Sequence, residues 1–128
     1  MLPRIVLVEP QGALNVGSIA RVMINFGFNE LFLVNPRCDP QSDDALKMAT
    51  HAKEILQKAK FVQSLEVALQ DGSRVIATTA QQRHRNRKLE GLQLPFKWLI
   101  HSNKPNALMF GAEDRGISNE ELEWAQRW

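Results

Sequence analysis

The chain has 128 residues, of which 44% are hydrophobic and 23% are charged, and its formal net charge is +2. This length predicts a single domain over residues 1–128, because two domains of half that size would each bury too little apolar surface. No apolar run approaches the roughly 20 residues that cross a bilayer, and the first residues show no basic segment followed by an apolar one. We therefore expect a soluble, cytoplasmic protein with no membrane partner.

The sequence offers few residues for metal or nucleophilic chemistry. Cys38 is the single cysteine, so an internal disulfide is excluded and no metal site is expected. We interpret Cys38 as an unreactive loop residue. The three histidines, His51, His84 and His101, are scattered along the chain without neighbouring partners, and we assign none of them a chemical role.

Strand-like and helix-like segments alternate from the start of the chain. Residues 4–9 and 31–35 are short and almost continuously apolar, which is typical of strands buried on both faces. Residues 16–26 between them have helical periodicity, and Gly27 supplies a stop. The apolar face of this helix is predicted to contain Ile19, Val22, Met23 and Phe26. Residues treated as core or dimer-contact positions are Leu14, Met23, Phe26, Trp98, Trp124 and Trp128.

The alternation continues through the rest of the chain. Ser42 is typical of the N-cap of a helix, and the apolar period that follows predicts one continuous helix to about residue 60. The remaining predicted elements are a strand at residues 61–62, a helix over 65–70 capped by Ser64, strands at 74–79 and 107–111, and a final helix whose cap is formed by Ser118 with Glu121.

This order of elements predicts an α/β fold with a mostly parallel sheet and helices on both faces. Sheets of this kind bind ligands beyond the carboxyl ends of their strands. Three predicted loops lie there, at residues 9–17, 78–88 and 111–117. In the first of them, Gly12, Asn15 and Gly17 are expected to form a turn before the helix that carries Arg21.

Two common nucleotide-binding patterns are absent from the sequence. Residues 12–17 lack the three glycines of a dinucleotide fingerprint, and no GK[ST] sequence marks a phosphate-binding loop. A dehydrogenase or a nucleoside triphosphatase is therefore not expected. Residues 81–88 form a polar, basic run that is predicted to be an exposed, solvated loop. Its arginines are Arg83, Arg85 and Arg87.

Two segments carry a resemblance to a known family. NVGSIAR at residues 15–21 and FGAEDRGIS at residues 110–118 resemble the first two signature motifs of the SPOUT class of RNA 2'-O-ribose methyltransferases, the TrmH superfamily. IVLVEP, LFLVNP, ATTA and NEEL resemble most closely the TrmJ-type branch, which methylates position 32 of the tRNA anticodon loop. The resemblance covers essentially the whole chain. It implies a homodimeric enzyme that uses S-adenosylmethionine, acts on tRNA and contains a trefoil knot.

The resemblance also implies roles for individual residues. Arg21 would hold a phosphate and stabilise the developing alkoxide of the target ribose, with Asn15 and Glu113 completing the catalytic set. The residues matched to cofactor binding are Thr78, Thr79, Ala80, Phe110, Gly111, Gly116 and Ile117. The residues expected to contact RNA are Arg21, Arg83, Arg85, Arg87 and Arg115.

The family has a third motif, an SLN-type segment, which lies beyond the second. This sequence stops before it, so we expect a chain truncated at its C-terminal end and a knot that is incomplete within residues 1–128. Two alternatives to tRNA methylation at position 32 remain open. One is an RNA-binding or dimerisation module without methyl transfer, and the other is methylation of ribosomal RNA or of another tRNA nucleotide.

Overall fold

Short apolar segments form a parallel sheet at the centre of the molecule. The computed structural model describes residues 4–69, 74–77 and 106–112. Within them the sheet has the order β3-β2-β1-β5-β4, and every neighbouring pair of strands is parallel. The predicted sheet type is thus confirmed. The strands are β1 (Arg4–Val8), β2 (Leu31–Val34), β3 (Lys60–Val62), β4 (Arg74–Ala77) and β5 (Asn106–Phe110).

The central strand β1 explains why the sheet is covered on both faces. Its side chains alternate, so that Ile5 and Leu7 belong to one buried cluster while Val6 and Val8 belong to the other. All four are nearly inaccessible to solvent. A strand must be apolar wherever both of its faces are buried, and residues 5–8 show this pattern.

One face of the sheet is covered by helices that pack closely on each other. Helix α1 (Ala13–Asn25) buries Val16, Gly17, Ala20 and Met23. Gly17 permits the approach of α2 (Asp43–Ala49), because a Cβ atom at this position would collide with the carbonyl oxygen of Ala45 and lie 2.9 Å from the Met48 Cβ atom. The absence of a side chain at Gly17 is therefore a packing requirement.

The helix predicted to run from Ser42 to about residue 60 is broken in the structure, so that prediction was wrong. Ser42 does cap α2, accepting a hydrogen bond from the Ala45 amide at 3.3 Å. Thr50 then adopts a left-handed φ of 53°, and a 3-10 turn (Thr50–Ala52) leads into α3 (Lys53–Gln57). The sequence pattern conceals the break because Ala49 and Leu56, on either side of it, are both fully buried.

The other face of the sheet is covered by the short helix α4 (Leu65–Leu69). Leu65, Ala68 and Leu69 pack in the cluster that contains Val6 and Val8. Ser64 caps this helix, as predicted, by accepting a hydrogen bond from the Val67 amide at 3.4 Å. No helix among the described residues is long and apolar enough to cross a membrane.

The predicted apolar face of α1 was partly wrong. Met23 is buried, but Val22 is 51% exposed and Phe26 is 70% exposed. Leu14, which was treated as a core or dimer-contact residue, is 52% exposed. Large side chains dominated the sequence pattern, whereas the core selects the small residues Gly17 and Ala20, which let α1 approach its neighbours. The predicted final helix, Trp98, Trp124 and Trp128 lie outside the described residues, as do the segments after residue 112 that a knot would require.

Candidate active site

The carboxyl ends of three adjacent strands meet at one edge of the sheet. Leu7 of β1 is in register with Phe110 of β5, and Met109 of β5 is in register with Ala77 of β4. The segments that follow these strands therefore begin side by side, as the parallel sheet predicted. Phe110 and Gly111 are half-buried at this edge.

The loop between β1 and α1 is shorter than predicted. Helix α1 begins at Ala13 with Gly12 as its N-cap, so Asn15 and Gly17 lie inside the helix and do not form a turn. The predicted loop over residues 9–17 thus ends at residue 12. Asparagine and glycine are typical of turns. Here, however, Gly17 lies within the helix, where it allows a close contact with α2 that a larger residue would prevent.

Arg21 lies on a stripe of α1 that points away from the core. Leu14, Ser18, Arg21 and Asn25 follow one another at intervals of four, three and four residues, which places them on one side of the helix. Leu14, Arg21 and Asn25 are exposed. Within the described part of the chain, no hydrogen bond or ion pair occupies the Arg21 guanidinium. Its five N–H donors are therefore oriented toward solvent and can receive an anion.

A cavity of about 250 Å³ brings two of the predicted site residues together. It lies between α1 and the sheet at β1 and β5, and both Asn15 and Phe110 contribute to its wall. Most of the wall is apolar, and Arg21 does not line it. The lining residues are Ile5, Asn15, Ser18, Ile19, Val22, Met23, Phe28, Leu108 and Phe110.

A larger cavity, of about 560 Å³, lies at the opposite edge of the sheet. Its charged groups are partly neutralised, since Lys58 Nζ lies 2.6 Å from Glu54 Oε1 and Lys60 Nζ lies 4.0 Å from Glu30 Oε2. The hydrogen bond and the charge of Lys58 lower the pKa of Glu54. None of the predicted site residues that the structure describes lines this cavity, so the smaller one is the better candidate.

The carboxyl edge also holds a pair of residues that the sequence did not single out. The side chain of Arg37, in the loop after β2, donates two hydrogen bonds to Glu9, in the loop after β1. Glu9 directly follows an interior strand, which is a usable sequence signal for a site residue. Nothing in the sequence connects it with Arg37, which is 28 residues further along the chain.

The structure describes four of the residues predicted for the site, Asn15, Arg21, Phe110 and Gly111. Among the described residues, no group of three or more histidine, cysteine, aspartate or glutamate side chains is placed to hold a metal ion. The other predicted site residues lie outside the described ranges. They are Thr78, Thr79, Ala80, Arg83, Arg85, Arg87, Glu113, Arg115, Gly116 and Ile117.

The family model of the SpoU rRNA methylases matches residues 3–128, which is nearly the whole chain. The chain belongs to the SpoU methylase family. This agrees with the resemblance carried by residues 15–21 and 110–118, and the parallel sheet is the one found in other members of the family.

Two curated SpoU-family relatives illustrate the similarity in sequence. The tRNA (cytidine-2'-O-)-methyltransferase TrmJ of Methanocaldococcus jannaschii is 42% identical over 123 residues, covering 93% of this chain and 53% of the relative. The tRNA (cytidine/uridine-2'-O-)-methyltransferase TrmJ of Escherichia coli K12 is 38% identical over 122 residues, covering 94% of this chain and 49% of the relative. The chain therefore spans about half the length of the curated relatives that it matches.

Solved structures show the same architecture. TrmJ from Z. mobilis ZM4 superimposes with a TM-score of 0.91 at 29% identity, covering 99% of this chain and 57% of that protein. The SpoU methyltransferase AviRb of Streptomyces viridochromogenes, solved with AdoMet, gives a TM-score of 0.68 at 17% identity. This second match covers 96% of the present chain and 45% of AviRb, and at that identity it shows a shared fold alone.

Proposed function

We propose that this protein is a tRNA methyltransferase that transfers a methyl group from S-adenosylmethionine to a ribose 2'-hydroxyl, at position 32 of the anticodon loop. The observation that carries the proposal is the exposed position of Arg21 on α1. It is supported by the 42% identity between this chain and a tRNA (cytidine-2'-O-)-methyltransferase. Glu113, together with Asn15, would complete the catalytic set. A tRNA substrate is consistent with a cytoplasmic location.

Arg21 is suited to electrostatic assistance and not to proton abstraction. A ribose hydroxyl is a poor nucleophile at neutral pH, so the site must stabilise the alkoxide that develops as the proton leaves. A guanidinium stays protonated in proteins and cannot accept that proton. Exposed and directed toward solvent, Arg21 can bind the adjacent phosphate and stabilise the negative charge on the ribose oxygen.

The described part of the site fits the proposed cofactor. Phe110 and Gly111 leave β5 beside the end of β4, so backbone groups from two neighbouring loops can hold an adenosine together, and Gly111 has no side chain to obstruct them. The proposed contacts from the other loop are Thr78, Thr79 and Ala80, and from the second motif Gly116 and Ile117. When bound, S-adenosylmethionine supplies an electrophilic methyl group on a sulfonium centre.

A homodimer is supported by the exposed side of α1. Leu14 and Val22 of the helix that carries Arg21, and Phe26 at its C-cap, are each at least half exposed. Exposed apolar groups on one helix are typical of an interaction surface. In a dimer through this surface, Arg21 would approach the partner subunit's site. We expect Leu14→Glu combined with Val22→Glu to yield monomers in sedimentation experiments, with little change in the far-ultraviolet circular dichroism.

RNA recognition is proposed to depend on phosphate contacts. Arg83, Arg85, Arg87 and Arg115 would contribute them, in addition to Arg21. Each phosphate contact releases counterions, so the affinity for tRNA should fall steeply with added salt. Few aromatic residues accompany these arginines in the sequence, which favours recognition of the tRNA shape and backbone over base stacking.

The direct test is transfer of a radiolabelled methyl group from S-adenosylmethionine to unmodified tRNA by the full-length protein, followed by mapping of the labelled nucleotide. We expect label on the 2'-oxygen of nucleotide 32, and no label on a transcript with a 2'-deoxyribose at that position. Label at another tRNA nucleotide, or on ribosomal RNA only, would reassign the substrate. Salt-sensitive tRNA binding without transfer would indicate a binding module.

A further inference from the structure

The loop that connects β1 to α1 is held from outside by the loop that follows β2. Glu9 has a left-handed backbone with φ of 49°, which is unfavourable for a residue with a Cβ atom, and Asn35 after β2 has φ of 45°. Both turns are fixed by the neighbouring strand, since the Glu9 amide donates to the Val34 carbonyl and the Asn35 amide to the Val62 carbonyl, each at 2.8 Å.

Arg37 makes three hydrogen bonds across this junction. Its Nε and Nη2 atoms lie 3.0 and 2.6 Å from Glu9 Oε1, and its backbone amide donates to the Pro10 carbonyl at 2.9 Å. The Glu9 side chain is only 26% exposed, so solvent screens this pair less than a fully exposed one. Both nitrogens donate to the same carboxylate oxygen, so the rigid, planar guanidinium fixes the position of Glu9 Oε1 through two hydrogen bonds.

The first turn of helix α1 has neither a side-chain cap nor an acidic residue to stabilise it. Its N-cap is Gly12, which provides no side-chain oxygen, and no acidic residue occupies the first turn. Asn15 lies two residues after the start of the helix and lines the smaller cavity together with Phe110. The path of residues 9–12 therefore constrains the position of Asn15 relative to β5, in addition to the packing of α1 on α2.

We propose that Glu9 and Arg37 are positioning residues that fix the first turn of α1, and with it Asn15, relative to the end of β5. The proposed contribution to catalysis rests on the proposed function, whereas the contribution to the first turn of α1 does not. Neither residue needs to touch RNA or cofactor in this role. The expected signature is a lower kcat with an unchanged KM for tRNA.

The test compares Arg37→Ala and Arg37→Lys with the matched control Lys58→Ala. The control breaks another ion pair of 2.6 Å, between Lys58 and Glu54, at the opposite edge of the sheet. The first readout is hydrogen exchange of the Val16 amide, which makes the first bond of α1, to the Gly12 carbonyl at 3.1 Å. We expect this amide to exchange about tenfold faster in Arg37→Ala, with the Met23 amide unchanged.

The second readout is methyl transfer to tRNA. We expect Arg37→Ala to lower kcat about fivefold at constant KM, Arg37→Lys to have an intermediate effect, and Lys58→Ala to have none. Unchanged Val16 exchange would overturn the proposal, as would a raised KM at constant kcat, which would indicate direct contact with RNA. If the unmodified protein transfers no methyl group while Val16 exchange still increases in Arg37→Ala, the proposed function fails and the positioning role stands.

Discussion

The two sides of helix α1 differ in what constrains them. The buried side consists of small or slender residues that allow close packing on α2 and the sheet. The exposed side combines apolar residues with a single cation, and it does not pack in the core. A helix that only filled the core would have polar residues on its outer side. The difference separates residues that determine stability from residues available for function. The buried side is Val16, Gly17, Ala20 and Met23, and the exposed side includes Leu14, Arg21, Val22 and Asn25.

At Gly17, a substitution that usually stabilises a helix is expected to destabilise this protein. In an unconstrained helix, replacing glycine by alanine stabilises by about 1 kcal/mol. Here the added Cβ atom would collide with the Ala45 backbone, so we expect Gly17→Ala to destabilise by about 1–3 kcal/mol in urea unfolding. Ser18→Ala, one residue further, is the control and should stabilise by a few tenths of a kcal/mol. A stabilised Gly17→Ala would show that α1 and α2 are not in close contact.

A neighbouring pair of residues compares the two sides directly. Met23 is 2% exposed and Val22 is 51% exposed. We expect Met23→Ala to lower the free energy of unfolding by about 2–5 kcal/mol, because it leaves a cavity in the core. We expect Val22→Ala to change it by no more than about 0.5 kcal/mol in the monomer. Similar losses for the two variants, measured by denaturant unfolding, would contradict the assignment of the two sides.

The smallest effect on stability is expected outside helix α1, at the exposed ion pair of Lys58 and Glu54. The pKa of Glu54 is lowered from its ordinary value of 4.5 by Lys58, so the pair contributes stability above that pH and loses it as the pH falls through the lowered pKa. Lys58→Ala should therefore reduce the melting temperature slightly at pH 7, and the difference should vanish in acid. A difference that grows in acid would exclude this ion pair as its cause.

The sheet could be predicted from the sequence because its strands are buried on both faces. Continuous apolar runs such as residues 5–8 and 31–34 are compatible with few other structures, and alternation with helices then favours parallel pairing. The break at Thr50 could not be predicted, since the apolar period continues across it. The exposed positions of Val22 and Phe26, on the predicted apolar face of α1, were missed for a related reason, because periodicity alone does not distinguish buried from exposed apolar residues.

The candidate site residues were proposed from the family motifs, and their roles stay predictions. Residues 15–21 drew attention to Asn15 and Arg21, although the turn expected there is the beginning of a helix. Glu9 and Arg37 interact because the sheet brings their two loops together. The sequence separation of 28 residues does not indicate that they are close in space. Glu113 and the cofactor residues at 78–80 lie outside the described residues, and their roles stay predictions.

The most direct measurement is the kcat for tRNA methylation by Arg21→Ala, with its free energy of unfolding determined on the same preparation. If the exposed side of α1 serves catalysis, kcat should fall by about 100-fold or more while the unfolding free energy changes by no more than about 0.5 kcal/mol. Arg21→Lys, which keeps the charge and loses the fork of donors, should recover only part of the activity. An unchanged kcat would contradict the account, as would a loss of activity fully explained by unfolding.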